Sequence, residues 1–171
     1  MDMTAPQGSP EGVDTRLFRD AVGRFPTGVT VVTARRDDVH HGMTANSFTS
    51  VSLDPVLVLV SVDKTSRLHE MVLDTGEWGV SVLGEQHEWL SRRFARRTPK
   101  DRFDDVAYRL GAETGVILLD EALSTFECRT VAAHDGGDHT VLIGEVLSVE
   151  LGDPDGSPLL YYRGRYRNFD H

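Results

Sequence analysis

A single cysteine, Cys128, is the whole thiol content of this 171-residue chain. No internal disulfide and no cysteine-built metal cluster can form within it, and a reducing compartment is the expectation. Basic residues are outnumbered: 18 lysines and arginines stand against 27 aspartates and glutamates, a net charge of −9. That balance argues against a general nucleic-acid surface or an anionic-membrane surface, since both need clustered cations. No apolar run approaches the roughly 20 residues of a membrane-spanning helix. Residues 1–13, rich in Pro, Gly, Ser and acid, lack the basic and apolar regions of a secretion signal and read as a flexible tail, so a cytoplasmic protein is expected. Also missing are a G-x-G-x-x-G after a strand and a G-x-x-x-x-G-K-[ST], the fingerprints of Rossmann and P-loop nucleotide binding. No serine, histidine and acid set can be argued from spacing, which leaves hydrolase chemistry without support.

What remains reads as one domain over residues 14–171, with an ordinary 39% hydrophobic and 26% charged content. Asp14 is a plausible N-cap for a helix in which Leu17, Phe18, Ala21, Val22 and Phe25 recur at helical spacing before Pro26. Strands are expected from Gly28 to Ala34 and from Val39 towards Thr44, joined through Arg36-Asp37-Asp38 as a hairpin. Further strands read at Trp78 to Leu83, alternating and half-buried, at Val116 to Leu118, Leu123 to Ala133, Thr140 to Leu151 and Pro158 to Tyr162. Helices are expected from about Ser66 to a stop at Asp74-Thr75-Gly76, and from about Gln86 to Phe94. Many short strands without regular βαβ alternation imply a mainly β fold, a β-barrel with helices packed outside it. Cys128, next to Phe126 in a strand pattern, reads as core filler.

The chain is organised around the stretch from Gly42 to Leu68. Thr44-Ala45-Asn46-Ser47 is dense in hydrogen-bonding groups and carries no bulk, which suits either a polar strand end or a backbone edge laid against a flat, polar-rimmed ring. Val56 to Val62 reads as a strand buried on both faces. Asp63-Lys64-Thr65-Ser66 then opens a helix, either as a plain N-cap with a solvated lysine or as a place where free N–H groups and an ammonium would stabilise a phosphate. Arg92, Arg93, Arg96, Arg97, Lys100 and Arg102 form a basic island that an anionic ligand could use. Gly137-Asp138-His139 is ordinary turn chemistry on its own. A metal set of His134, Asp135, Asp138 and His139 has poor spacing, so no metal is expected.

Taken together, Phe18-Arg19-Asp20-Ala21, Phe25-Pro26-Thr27-Gly28-Val29, the Gly42 to Leu68 stretch, Arg93-Phe94-Ala95, Gly137-Asp138-His139 and Pro158-Leu159-Leu160-Tyr161-Tyr162-Arg163 resemble, in order and spacing, the flavin reductase-like family. These are short NAD(P)H:flavin oxidoreductases that supply reduced flavin to two-component monooxygenases. The resemblance implies an FMN-binding split barrel of Greek-key type, a homodimer, FAD or FMN with NADH as cofactors, and a separate monooxygenase as the recipient of reduced flavin. It implies that Thr44, Ala45, Asn46 and Ser47, with Ser52, line the isoalloxazine ring, and that Ser61, Lys64, Thr65 and Ser66 hold the ribityl and phosphate groups. Phe94 would contact the flavin, and an arginine, Arg93 before Arg96, would reach its phosphate. His139 would position the dihydronicotinamide, as the candidate catalytic residue, with Tyr162, Arg163 and Tyr166 as further contacts to nicotinamide or flavin. Two other readings stand beside this one: an electron-transfer module that retains its flavin, and a non-catalytic barrel that merely dimerises.

Overall fold

Asp14, whose carboxylate accepts from the Arg16 N–H at 2.7 Å, starts helix α1 (Thr15–Val22), and Gly23 ends it. A computed structural model describes residues 12–96 and 102–169; the expected tail at 1–13 lies almost wholly outside them, as do Arg97 and Lys100. After α1 come β1 (Thr27–Gly28), β2 (Thr30–Arg36) and β3 (Val39–Ala45), the last two forming the expected hairpin. Strands β4 (Thr49–Leu53) and β5 (Val56–Asp63) lead to helix α2 (Arg67–Thr75). The Ser66 hydroxyl caps α2 by accepting from the His69 N–H at 3.2 Å, and Gly76, left-handed at φ 72°, stops it.

Strand β6 (Glu77–Val82) is followed by a 3₁₀ turn that runs into α3 (Glu88–Phe94). Then come β7 (Tyr108–Leu110), β8 (Ile117–Leu119), the long hairpin of β9 (Ser124–Gly136) and β10 (His139–Leu151), and finally β11 (Leu160–Tyr162) and β12 (Arg165–Arg167). The main sheet is antiparallel with the order β3-β2-β6-β9-β10-β5-β4. Two small sheets, β1-β11-β12 and β7-β8, flank it.

The main sheet curls around one core and is covered outside by a second. Val32 and Ala34 of β2, Val58, Val60 and Val62 of β5, Trp78, Val80 and Leu142 meet Leu68, Met71 and Val72 of α2 in the first. Val29, Val31, Leu83, Leu90, Phe94, Ile117 and Leu159 make the second. Strand β6 is therefore buried on both faces, where a half-buried strand was expected. Trp78 and Val80 face one core, while Gly79 lies so close to Val116 and Leu118 of the other side that a Cβ there would come within 2.8 Å of each. Strand β5 shows the opposite correction: Val58, Val60 and Val62 are buried, but Leu57, Leu59 and Ser61 stay partly exposed. Its second face is open, and Ser61 lies on it. Cys128 is buried against Trp78 and Gly144, as a core filler would be, and burial followed by the nearby Glu127 charge pushes its thiol up to about 12.

Register places the site. Strand β10 pairs β5 with His139 opposite Asp63, so the β9–β10 turn stands beside the N-terminus of α2. Only the first half of β5, Val56 to Leu59, is covered by β4. Strands β4, β7 and β12 were not anticipated; β4 is a five-residue, Ser- and Thr-rich edge strand, and β7 and β12 are three residues each.

Candidate active site

A cleft of about 510 Å³ opens where β3, β5, α2, α3 and the β9–β10 turn converge. That volume suits a nucleotide-sized or cofactor-sized ligand. Its lining includes Thr44 and Ala45 at the end of β3, Asn46 and Ser47 just after it, Ser61 on β5, Thr65 and Ser66 at the start of α2, Phe94 on α3 and His139 on β10. Nine of the residues singled out from sequence are thereby brought together.

Their hydrogen bonds divide them into wall and contact groups. Thr44 Oγ1 donates to the Ser91 carbonyl of α3 at 2.6 Å, and Thr30 Oγ1 donates to the Ala45 carbonyl at 2.8 Å. Both bonds fix the end of β3. Ser47 Oγ accepts from the Ser61 N–H at 3.0 Å and donates to the Ser61 carbonyl at 3.1 Å. It thus satisfies the stretch of β5 edge that β4 leaves uncovered. The Asn46 amide has no hydrogen-bond partner among the described residues and lines the cleft, available to a ligand. Phe94 is 1% exposed and packs across Gly42, where any Cβ would lie 2.8 Å from its ring.

At the other end, Asp63 Oδ1 accepts from both the Thr65 N–H and the Thr65 hydroxyl at 2.7 Å, shaping the turn into α2. Free N–H groups of the first turn and the helix dipole favour an anion there. Arg67, the first residue of α2, lines the cleft and makes no hydrogen bond or ion pair among the described residues. Arg96 and Arg102 line the cleft as well. Arg102 is 8% exposed, and its guanidinium donates to the carbonyls of Gly42 at 2.6 Å, Phe94 at 3.2 Å and Arg96 at 2.6 Å. It fastens α3 and the segment after it to β3 while adding positive charge to the cleft. Burial first, then Arg67, lowers its pKa from the usual arginine value. His41, on the same alternating face of β3 as Met43 and Ala45, is held neutral: burial, then Arg102 and Arg67, lowers its pKa to about 4. His139 stands at the rim, its Nδ1 2.7 Å from Asp138 Oδ1, and this hydrogen bond and the imidazole charge keep Asp138 below the usual carboxylate range.

Six of the sequence-derived residues lie outside this cleft. Ser52 Oγ accepts from the Asp54 N–H at 3.2 Å and pairs opposite Leu57, four positions along β5 from Ser61. Four positions along a strand is roughly 13 Å. The Lys64 ammonium turns to the β9–β10 turn, where it binds the Asp135 carboxylate and the Gly137 carbonyl, so it clamps that turn rather than facing the α2 N-terminus. Arg93 donates to the Asp104 carbonyl at 2.5 Å and covers the Trp89 ring. Tyr166 shares a 2.8 Å hydrogen bond with the buried Ser91 hydroxyl and is covered by Arg92, and it lines a smaller adjoining pocket with Thr44, Ala45 and Asn46. Tyr162 and Arg163 belong to the β11–β12 hairpin.

Sequence reasoning passed over His41, Asp63 as a ligand-side group and Arg67, and it reached Arg102 only as one member of the basic island. Strand alternation back from Ala45 marks His41, and the position directly after the Ser66 cap marks Arg67. What sets Arg102 apart from the other arginines of the island is a partner on another element, the Gly42 carbonyl sixty residues away.

A curled antiparallel sheet with a polar, cation-ended cleft at a helix N-terminus suits an anionic ligand of cofactor size. Residues 22–170 match the model of the flavin reductase like domain, and the chain belongs to that family. It is 44% identical over 160 residues to FMN reductase (NADH) SmoA of Agrobacterium fabrum, across 94% of this chain and 89% of that protein. It is 38% identical over 159 residues to HsaB of Mycobacterium tuberculosis, the reductase subunit of a flavin-dependent monooxygenase, across 92% of this chain and 84% of that one. Among solved structures, the NADH:FAD oxidoreductase SgcE6 of Streptomyces globisporus superimposes with a TM-score of 0.88 at 40% identity, covering 98% of this chain and all of that one.

Proposed function

We propose that this protein is an NADH-dependent flavin reductase that takes FAD or FMN as substrate and releases it reduced to a separate monooxygenase. The observation that carries the reading is the cleft itself: the unpartnered Asn46 amide at one end, the α2 N-terminus with Arg67 at the other, and His139 at the rim. That order matches the ring, the phosphate and the hydride donor of one flavin and its reductant. Hydride transfer from the nicotinamide to the flavin is the chemistry that the two ligands would supply between them when bound. The chain's own part is positional. Asn46 and the backbone beside it bind the polar ring edge, Thr65, Ser66 and Arg67 take the phosphate, Phe94 closes the apolar wall, and His139 sets the donor over the ring. NADH rather than NADPH, and release of the flavin to an oxygenase, rest on the relatives' named activities.

We also propose that the curled sheet is a split barrel of Greek-key type within a single domain at 14–171, and that the protein is a cytoplasmic homodimer. Val51, Leu53 and Val56 on β4 and β5, and Val149 and Leu151 at the far end of β10, are apolar and exposed in the single chain, and β4 presents an uncovered strand edge. Sedimentation would give twice the 19.0 kDa chain mass. Anaerobic mixing tests the main reading. NADH should bleach protein-bound FAD much faster than NADPH does, and gel filtration should then part the reduced flavin from the protein. A flavin that stays bound through gel filtration after reduction would instead make this an electron-transfer module.

A further inference from the structure

Where β10 pairs with β5, the two strands turn one face towards α2, and Val58, Val60, Val62 and Leu142 make that face apolar and buried. Thr140 stands in the same row, opposite Val62 and 8% exposed. Its hydroxyl is thus a polar group on an apolar face, and burial strips it of water. His69 of α2 supplies the partner: its Nε2 and Thr140 Oγ1 share a hydrogen bond of 2.8 Å. A valine of nearly the same shape would need no partner, so packing alone does not account for the pair.

His139 is the next residue and lies on the other face of the strand, at the rim of the cleft. It is the first residue of β10, paired with Asp63 on one side and Gly136 on the other. Ties on either side of it hold it in place. Before it, the Lys64 N–H donates to the Asp138 carbonyl at 3.1 Å, and the Lys64 ammonium binds the Asp135 carboxylate and the Gly137 carbonyl. After it, Thr140 is held by His69. Both ties come from the segment 63–69, within which Ser66 Oγ also accepts from the His69 N–H at 3.2 Å. His139 itself pairs with Asp138, which belongs to the same turn.

We infer that His69 is a positioning residue for His139: through Thr140 it fixes the rotation of the β10 end, and with it the place of the imidazole that meets the nicotinamide. The inference rests on the flavin reductase reading, and it deepens it. Successive side chains of a strand turn together, so a hydroxyl held on the inner face sets the direction of the imidazole on the outer one. A group that places a ligand has to be held within about 0.5 Å of its productive position, and the bonds behind it do that holding. His69 acts from behind, since it is not among the residues that line the cleft.

Three variants test it. His69→Leu removes the hydrogen bond and keeps apolar bulk over the strand, His69→Gln keeps an amide within reach of Thr140, and Thr140→Val removes the bond from the other side. The Michaelis constant for NADH should rise about fivefold in the Leu and Val variants, the loss of one neutral hydrogen bond, with kcat and flavin affinity unchanged. His69→Gln should restore the wild-type constant, and the double variant His69→Leu with Thr140→Val should show no further rise, because each change removes the same bond. A readout without substrate accompanies the kinetics. The His139 imidazole NMR resonance, assigned by its absence in His139→Gln, should be single and sharp in the wild-type and Gln proteins and broadened or split in the Leu and Val proteins. If His69→Leu does not fold, Thr140→Val, which leaves the helix untouched, carries the test alone. An unchanged NADH constant in a folded Leu or Val variant, flavin affinity that falls in step with it, failure of the Gln variant to restore it, or an undisturbed His139 resonance would each overturn the assignment. Failure of the wild-type protein to oxidise NADH with any flavin would instead strike the reaction, and the resonance would then decide the positioning role by itself.

Discussion

Ser47 Oγ holds both backbone groups of Ser61, accepting from its N–H at 3.0 Å and donating to its carbonyl at 3.1 Å. One side chain thereby does the work of the strand that β4 fails to provide, and it keeps the Ser61 edge from closing on another chain. Ser47→Ala is expected to cost about 1 to 2 kcal/mol in denaturant unfolding, because a half-buried N–H and carbonyl lose their partner. Flavin affinity should fall severalfold with it. Full stability in the alanine variant would show that water satisfies this edge unaided.

Lys64 and Arg67 separate two roles that adjacent cations would otherwise share. Arg67→Ala should weaken binding of FMN and FAD about tenfold and leave riboflavin, which lacks a phosphate, unaffected. Lys64→Ala should leave the discrimination between FMN and riboflavin intact. It frees the Asp135 and Gly137 contacts that hold the His139 turn, so the Michaelis constant for NADH should rise instead. Fluorescence titration with the three flavins and steady-state kinetics check both, and a phosphate-selective loss in the Lys64 variant would return the anchor to that residue.

Gly42 has no room for a methyl group. A Cβ there would lie 2.8 Å from Cε1 and 2.9 Å from Cδ1 of Phe94, and 3.2 Å from the Phe103 ring. Gly42→Ala should push Phe94 into the cleft, costing about 1 to 3 kcal/mol as overpacking does. Flavin affinity should drop further than the melting temperature alone predicts, since the displaced ring is a wall of the site.

Two groups give stability a pH dependence in the same direction. Burial alone would raise the Glu127 pKa, but hydrogen bonds from the Thr114 hydroxyl and N–H, the Ser148 hydroxyl and the Glu113 N–H outweigh it and hold the carboxyl below the usual range. A depressed acid stabilises the fold above its unfolded pKa and loses that contribution as pH falls through the folded value. His41 is lowered from 6.5 to about 4, so between those values the unfolded chain binds the extra proton and stability again falls with pH. Urea midpoints measured from pH 7 down to pH 3 should therefore decline in two stages. His41→Gln should shrink the upper one, to which His40, also lowered by burial, contributes, and Glu127→Gln, expected to cost about 2 to 3 kcal/mol at neutral pH, should shrink the lower.

Much of this was legible in the chain. Caps at Asp14 and Ser66, the Gly76 stop and the turn at Gly137-Asp138 are local signals found where they were expected, although α1 stops at Val22, short of the Phe25 that its apolar spacing included. The nine cleft residues come mostly from one contiguous stretch, which is why motif spacing reached them. What escaped depends on distance and direction. Whether β5 or β6 is buried twice depends on which helix and outer strands cover the curled sheet, and alternation cannot report that. Lys64 sits two residues before the Ser66 cap, yet its stem reaches Asp135 of the hairpin, 71 residues on, and Arg93 and Arg96 differ by three positions and face different ways. Side-chain direction, not sequence proximity, chose the anchors.

The central claim is tested most directly by following NADH absorbance when the purified protein is mixed in air with NADH and, in turn, FAD, FMN and riboflavin, with an NADPH series alongside. The account expects rapid oxidation that depends on added flavin, faster with NADH than with NADPH, and tightest for the two phosphorylated flavins. No oxidation with any pair, from a folded sample that still binds flavin, would contradict it.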